Sequence, residues 1–335
     1  MPYTLLVIAI LGISLVLYAL FGVADFGAGI VELFIGKKGQ KTISQAIGPV
    51  WEANHIWLIL IVVILFNGFP KVYAVFSTAL HIPILIFLIG IIARGTAFVF
   101  RHYDAYTDKS QIYYSIIFRY SSVLAVMFLG VLLASIFSGT IQYEITDFYT
   151  YFLAPWLTLF SLSIGIFVCI LSAYLAAILL LSEAKDKEEY EIINTFSKRL
   201  LVASIFSGGL IFLASYVEDF SFHKDFFSHI PSLIAFLLAT VLVPFIFIYI
   251  HRRNNWVLRI LSGLQIILIL AGWFLLHWPN LITFADGSTL NIYEAAAPPE
   301  TMKVLFWALL IGSCLIFPSL YYLFKVFKFK EANEI

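Results

Sequence analysis

Nine apolar runs, each of about twenty residues or more, constrain this chain before anything else does. They lie at about 4–34, 51–69, 73–101, 113–139, 152–182, 197–215, 231–250, 257–278 and 303–326. A helix needs roughly 20 such residues to cross a hydrocarbon core about 30 Å thick. The rest of the composition leaves no alternative solvent: 62% of the chain is hydrophobic and 12% charged, where soluble domains carry about 45–50% and 25%. The expected fold is an all-α integral membrane protein, with residues 1–335 forming a single transmembrane domain of nine helices.

Punctuation between the runs supports the count. Gly68 and Pro70 in "GFPKV" stop the second run before the third begins, because both residues break helices. Pro83, Pro244 and Pro318 fall inside the third, seventh and ninth runs and predict kinks there. Pro49, Pro155 and Pro231 fall at helix starts, where the missing N–H costs nothing. The N-terminal run lacks a basic leader and is longer than a signal peptide's apolar core, so it reads as the first permanent span. The charged stretch "SEAKDKEEYE" at 182–191 reads as a solvated linker. Cys169 and Cys314 each lie alone in an apolar run, with no CxxC pair, and both are expected to be buried reduced thiols.

Lysine and arginine fix the expected orientation. Loops after odd-numbered spans, with the C-terminal tail, hold 16 of the 20 basic residues, and loops after even-numbered spans hold 3. By the positive-inside rule the N-terminus is expected outside and the C-terminus in the cytoplasm. Arg94 is the remaining one, inside the third span.

Ionisable residues within spans cost a few kcal/mol and normally face a bundle interior with a partner. Counting along alternating helices puts Asp25, Glu52, His55 and Arg94 at similar depth, near the cytoplasmic side, on three consecutive spans. In "GPVWEANHIWLI" Glu52 and His55 are three apart, and Trp51 and His55 four apart, so they share a helical flank. A carboxylate beside an imidazole suits proton relay. The plainer readings are a counter-ion role for Arg94 and a helix-dipole role for Glu52. Trp51 is the candidate for the interfacial belt; Trp57, about 9 Å deeper, is expected to pack against protein. His81 is the other histidine within a span at a depth suited to haem. No hydrolase, P-loop, metalloprotease or dinucleotide motif is present, so no catalytic residue and no metal site is assigned to this chain.

"VADFGAGIVELF", "IGPVWEANHIWLI", "FPKVYAVFSTALHIP" and "ARGTAFVFR", over residues 20–101, with "TLNIYEAAAPPETMKVLF" at 289–306, resemble subunit II of the cytochrome bd-type quinol oxidases. The resemblance implies two four-helix bundles plus one peripheral helix in a multi-pass protein of a bacterial or archaeal cell membrane. It implies a complex that oxidises quinol and reduces dioxygen to water, with haems b and d on a partner subunit I and none on this chain. It further implies a proton route through Glu52 and Asp25, with Arg94 as electrostatic partner; His55 joins the candidates for that route through its spacing from Glu52, at a position where other members of the family vary. Trp51, Asn54 and Trp57 would shape a subunit contact or a gas path. A small single-span subunit and membrane lipid are further partners, and no nucleic acid is expected. Val99 departs from the family, which often has an acid there. The rival readings are a secondary transporter coupled through Asp25 and Arg94, and a purely structural membrane subunit.

Overall fold

The computed structural model describes residues 2–48, 51–103, 110–145 and 147–327. Pro49, expected to start the second span, and Lys109, Lys328 and Lys330, counted among the loop charges, lie outside the described residues. Among those described, nine helices are long and apolar enough to cross a membrane: Pro2–Ile35, Trp51–Gly68, His81–Arg101, Ser110–Phe137, Leu159–Leu180, Lys187–Val217, Ile230–Arg252, Asn255–His277 and Pro299–Leu323. They are spans 1 to 9 below.

Span 3 packs against span 4, and span 4 packs against span 5 and the second half of span 1 (Ala24–Ile35). Span 5 also touches that half of span 1, as well as spans 6 and 8, while spans 7 and 8 pack on each other. Spans 1–4 and 5–8 thus form two four-helix groups that share span 5 as their common wall. Among the described residues, span 9 packs chiefly against the edge made by spans 1 and 2. Most of its circumference is therefore open, which explains why Cys314, expected to be buried, is exposed while Cys169 is half-buried.

Small residues set the distances between these helices. A Cβ at Gly27 in span 1 would sit 2.0 Å from the Ser172 carbonyl oxygen of span 5. Gly130 of span 4 and Gly165 of span 5 meet in the same way, the Cβ position of Gly130 lying 2.8 Å from the Gly165 Cα. Lipid tails are as apolar as leucine, so close backbone approach, rather than hydrophobicity, drives such contacts.

Several boundaries differ from the sequence expectation. The third run is two helices, Pro70–Ala79 and His81–Tyr103, separated at Leu80. Pro83 therefore lies in a first helical turn and has no intrahelical N–H bond to break, so it does not kink the span. Pro155 does not start span 5; Thr158 caps it by accepting from the Ser161 amide, and the Pro155 carbonyl accepts from the Thr140 hydroxyl at 3.0 Å. Span 6 begins at Lys187, so half of the expected linker is helix. Its acidic first turn reaches neighbours: Glu188 pairs with Lys38 at 2.6 Å, and Glu189 accepts from Thr42 at 2.9 Å.

Lys38 and Thr42 belong to an amphipathic helix, Lys37–Ile47, that leaves span 1 through Gly36. Gly36 has φ of 70°, a conformation open to glycine at no steric cost. Ile43 and Ile47 bury the apolar face of this helix. Arg253 after span 7 pairs with Glu191, and Arg259 in span 8 pairs with Glu183. These contacts gather the loops after odd-numbered spans at one end. At the opposite end a short hairpin, Asn280–Thr283 with Thr289–Asn291, is bridged to Ile141 through Phe284 and Ala285, and Ala297 donates to the Gly68 carbonyl.

Gly27→Ala should lower the melting temperature of the detergent-solubilised protein or prevent its accumulation, by overpacking worth about 1–3 kcal/mol. Gly12→Ala, where no atom lies within 4 Å of the new Cβ, should change neither. An unaffected Gly27→Ala protein would show that spans 1 and 5 do not touch there.

Candidate functional site

Asp25 and Arg94 meet in the interior between spans 1 and 3. The Arg94 Nη2 lies 3.5 Å from the Asp25 Oδ2 and donates to the Asp25 backbone carbonyl at 3.1 Å. Both residues are buried, at 6% and 1% exposure. The guanidinium is flanked by the rings of Phe26, at 4.8 Å, and Phe118, at 5.3 Å, which attract a desolvated cation through their faces. Asn54, also buried, lies beside the Asp25 carboxyl.

His55 closes the other side. Its ring packs edge-on against Phe26 at 5.5 Å and lies 6.4 Å from the ring of Tyr18. Tyr18 opens a single π-helical stretch, Tyr18–Val23, within span 1, and such local widenings recur at functional sites. Five buried polar atoms here have no hydrogen-bond partner among the described residues: the Tyr18 hydroxyl, Asp25 Oδ2, His55 Nδ1, and Arg94 Nε and Nη1. Tyr18 carried no sequence signal, because a tyrosine in an apolar run reads as core.

The remaining site residues are spread around this cluster. Glu52 is exposed, and no ion pair joins it to Arg94. Among the described residues Arg94 pairs with Asp25 and not with Glu52. Helical phase accounts for this: Asn54, two residues on, faces inward, so Glu52 is turned away. Trp51 is half-buried against Phe98, at 5.7 Å, and over Gly95. It packs on span 3 rather than standing free in an interfacial belt. Trp57 is buried against Phe317 of span 9, at 5.9 Å. His81 is exposed at the start of its helix, facing the Thr78 carbonyl and the edge of Phe152.

A second ion cluster, absent from the sequence expectation, lies one helical repeat along. Glu32 is fully buried, and its Oε1 and Oε2 accept from Arg101 Nη1 at 2.8 and 3.0 Å. Arg119 Nε adds a bond to Oε1 at 3.1 Å, and Arg101 Nη2 donates to the Ser44 hydroxyl at 3.0 Å. Arg101 and Arg119 were counted as loop charges, yet they sit inside helices. The signal was legible as spacing. Asp25 and Glu32 are seven apart, as are Arg94 and Arg101, and seven residues return a helix to the same face.

The family described as "Cytochrome bd terminal oxidase subunit II" matches residues 3–327. The chain belongs to this family. It is 24% identical over 340 residues to a putative cytochrome bd menaquinol oxidase subunit II of Bacillus subtilis, with 95% of each chain covered. It is 32% identical over 117 residues to the cytochrome bd ubiquinol oxidase subunit 2 of the same organism, a match spanning 34% of each chain. The fold is similar to that of a chain in the bd oxidase of Geobacillus thermodenitrificans, with a TM-score of 0.78 and 19% identity, covering 98% of this chain and 99% of that one. The protein is thus a multi-pass membrane subunit of a bd-type terminal oxidase.

Membership implies haems in the complex. A cavity of about 590 Å³ lies between spans 1 and 4–8. Its lining includes Tyr18, Gln265 and Trp273 and no His, Met or Cys, so Tyr18 is the one side chain there of a type that ligates haem iron. No group of three His, Cys, Asp or Glu among the described residues could hold a metal ion.

Removing Glu32 as Glu32→Ala leaves two desolvated arginines without their carboxylate. Breaking a buried pair in this way costs about 3–5 kcal/mol, so the purified oxidase should melt well below wild type. Lys38→Gln, at the exposed pair with Glu188, should change stability by less than about 1 kcal/mol. Equal effects of the two substitutions would contradict the buried cluster.

Proposed function

We propose that this chain is the haem-free second subunit of a quinol:dioxygen oxidoreductase and carries a proton route to its haem-bearing partner. In this reading the partner, subunit I, holds haems b and d, takes electrons from quinol and reduces dioxygen to water. The present chain stabilises that subunit. Its basic loops face the cytoplasm, with the N-terminus outside.

One observation carries the proton route. An exposed carboxylate, Glu52, stands at the start of span 2, and a buried, under-satisfied polar cluster lies just inside it. Glu52 exchanges protons with the aqueous phase. His55, one turn along the same helix, and Asn54 lead from it to Asp25, and Tyr18 continues the series inward. Buried polar atoms without protein partners are normally satisfied by ordered water, and water joining these groups would complete a hydrogen-bonded chain. Arg94 supplies the opposite charge that lets Asp25 exist in the interior. Bound haem supplies the electron chemistry; this chain supplies positions at which a proton is held and passed on. Trp51 and Trp57 hold span 2 against spans 3 and 9, fixing the entrance.

Purification from native membranes in mild detergent should yield this chain with a second large subunit and with b- and d-type haem absorbance. A colourless single chain would overturn the assignment. In the purified complex Glu52→Gln should slow oxygen consumption roughly tenfold or more, the scale of a lost proton-transfer group, while leaving the haem spectra unchanged. Asp25→Asn should behave likewise. Wild-type turnover in Glu52→Gln would remove Glu52 from the route and favour a structural role for the cluster.

A further inference from the structure

A groove of about 470 Å³ runs between spans 6 and 7, lined by Lys198, Arg199, Val202, Ala203, Phe206 and Phe247. Its two cations stand at one end. The other lining residues are apolar, and Val202 and Phe206 are 40% and 72% exposed. Along span 6 the residues at 199, 202, 203 and 206 recur every three to four positions, so they form one strip along the helix. Polarity thus falls from cationic to hydrocarbon within about two turns.

Many cations at this end of the bundle have acidic partners, while Lys41, Lys185 and Arg252 stand exposed without one among the described residues; Lys198 and Arg199 differ from these in standing at the end of an apolar groove. Arg101 and Arg119 share Glu32, Arg253 has Glu191, Arg259 has Glu183 and Lys38 has Glu188. Lys198 and Arg199 have no acidic partner among the described residues. A ligand that complements both features carries negative charge at one end and an apolar chain along Val202 and Phe206 at the other.

We infer that this groove binds an anionic phospholipid, with the headgroup phosphate on Lys198 and Arg199 and an acyl chain along Val202 and Phe206. Charge complementarity selects the class. A zwitterionic lipid brings its own cation to a site that already holds two, whereas a phosphatidylglycerol-type headgroup brings net negative charge alone. Basic pockets between spans on the positively charged side of a membrane protein bind anionic headgroups in this way. Each basic residue near the surface is worth about a fivefold preference for anionic lipid.

The test uses the intact oxidase complex in phosphatidylcholine nanodiscs. Val202→Cys, in a Cys314→Ser background, carries an environment-sensitive fluorophore. A minor fraction of brominated phosphatidylglycerol should quench it several-fold more than the same fraction of brominated phosphatidylcholine. Lys198→Gln with Arg199→Gln should bring the two lipids to equal quenching, with oxygen consumption and haem spectra retained. Equal quenching in the protein with its basic pair intact would overturn the site. Absence of quenching by either lipid would show that another protein surface covers the groove, and would overturn it as well. The comparison between lipids needs no basic-residue variant, so a failure of the double variant to assemble leaves the outcome decided.

Discussion

The interior of this subunit depends on how two acids of span 1 are matched to the arginines of span 3. Neither partner is stable in hydrocarbon alone, since an isolated buried charge costs several kcal/mol. Asp25 with Arg94 and Glu32 with Arg101 form two rungs, each separated by 69 positions in the chain. The rungs are about 10 Å apart along the helix. Two rungs fix register as well as proximity, because sliding span 3 by one turn would break both ion pairs at once. Phe118 of span 4 stacks on both guanidiniums, 5.3 Å from Arg94 and 4.4 Å from Arg101. Span 4 is thereby tied to the same ladder.

Packing carries this order to the second helix group. Gly27, between the two rungs, lets span 1 lie directly on the backbone of span 5 at Ser172. Spans 4 and 5 approach through Gly130 and Gly165. Span 5 in turn carries Tyr174, whose hydroxyl pairs with Ser262 of span 8 at 2.8 Å. The rungs set the height of span 1, and the glycines transmit that height to the second group without an intervening charged contact. Span 9 lies outside this chain of contacts, which accounts for its open face.

Much of this was legible in the sequence, and the exceptions have physical causes. Nine spans and their alternation followed from apolar run length and loop charge, because lipid enforces both. Asp25 and Arg94 stood out as charges where charges are costly. Glu32 did not, although the quoted "VADFGAGIVELF" contains it, because it lies near the end of its run and reads as a surface acid. Arg101 and Arg119 read as loop cations for the same reason. Pro83 and Pro155 were misplaced because apolarity continues across Leu80 and across residues 153–158, while the backbone does not. The orientation of Glu52 depends on helical phase at the entrance to span 2, where run length carries no information.

The two rungs differ in a way that bears on mechanism. Glu32 accepts three hydrogen bonds from two arginines, and Arg101 has a further partner in Ser44. That rung is closed: neither oxygen of Glu32 is left to receive a proton without breaking a charge-assisted bond. The Asp25 rung is open. Its ion pair is long at 3.5 Å, and two guanidinium nitrogens and a carboxylate oxygen remain unbonded beside His55 and Tyr18. A purely structural pair gains nothing from unbonded capacity in a low-dielectric interior, where each unsatisfied group costs about 1–3 kcal/mol. A proton path requires it, since a carrier must form and release bonds without dismantling the fold. The closed rung holds the helices, and the open rung, beside the exposed Glu52, is the one on which the proposed proton route depends.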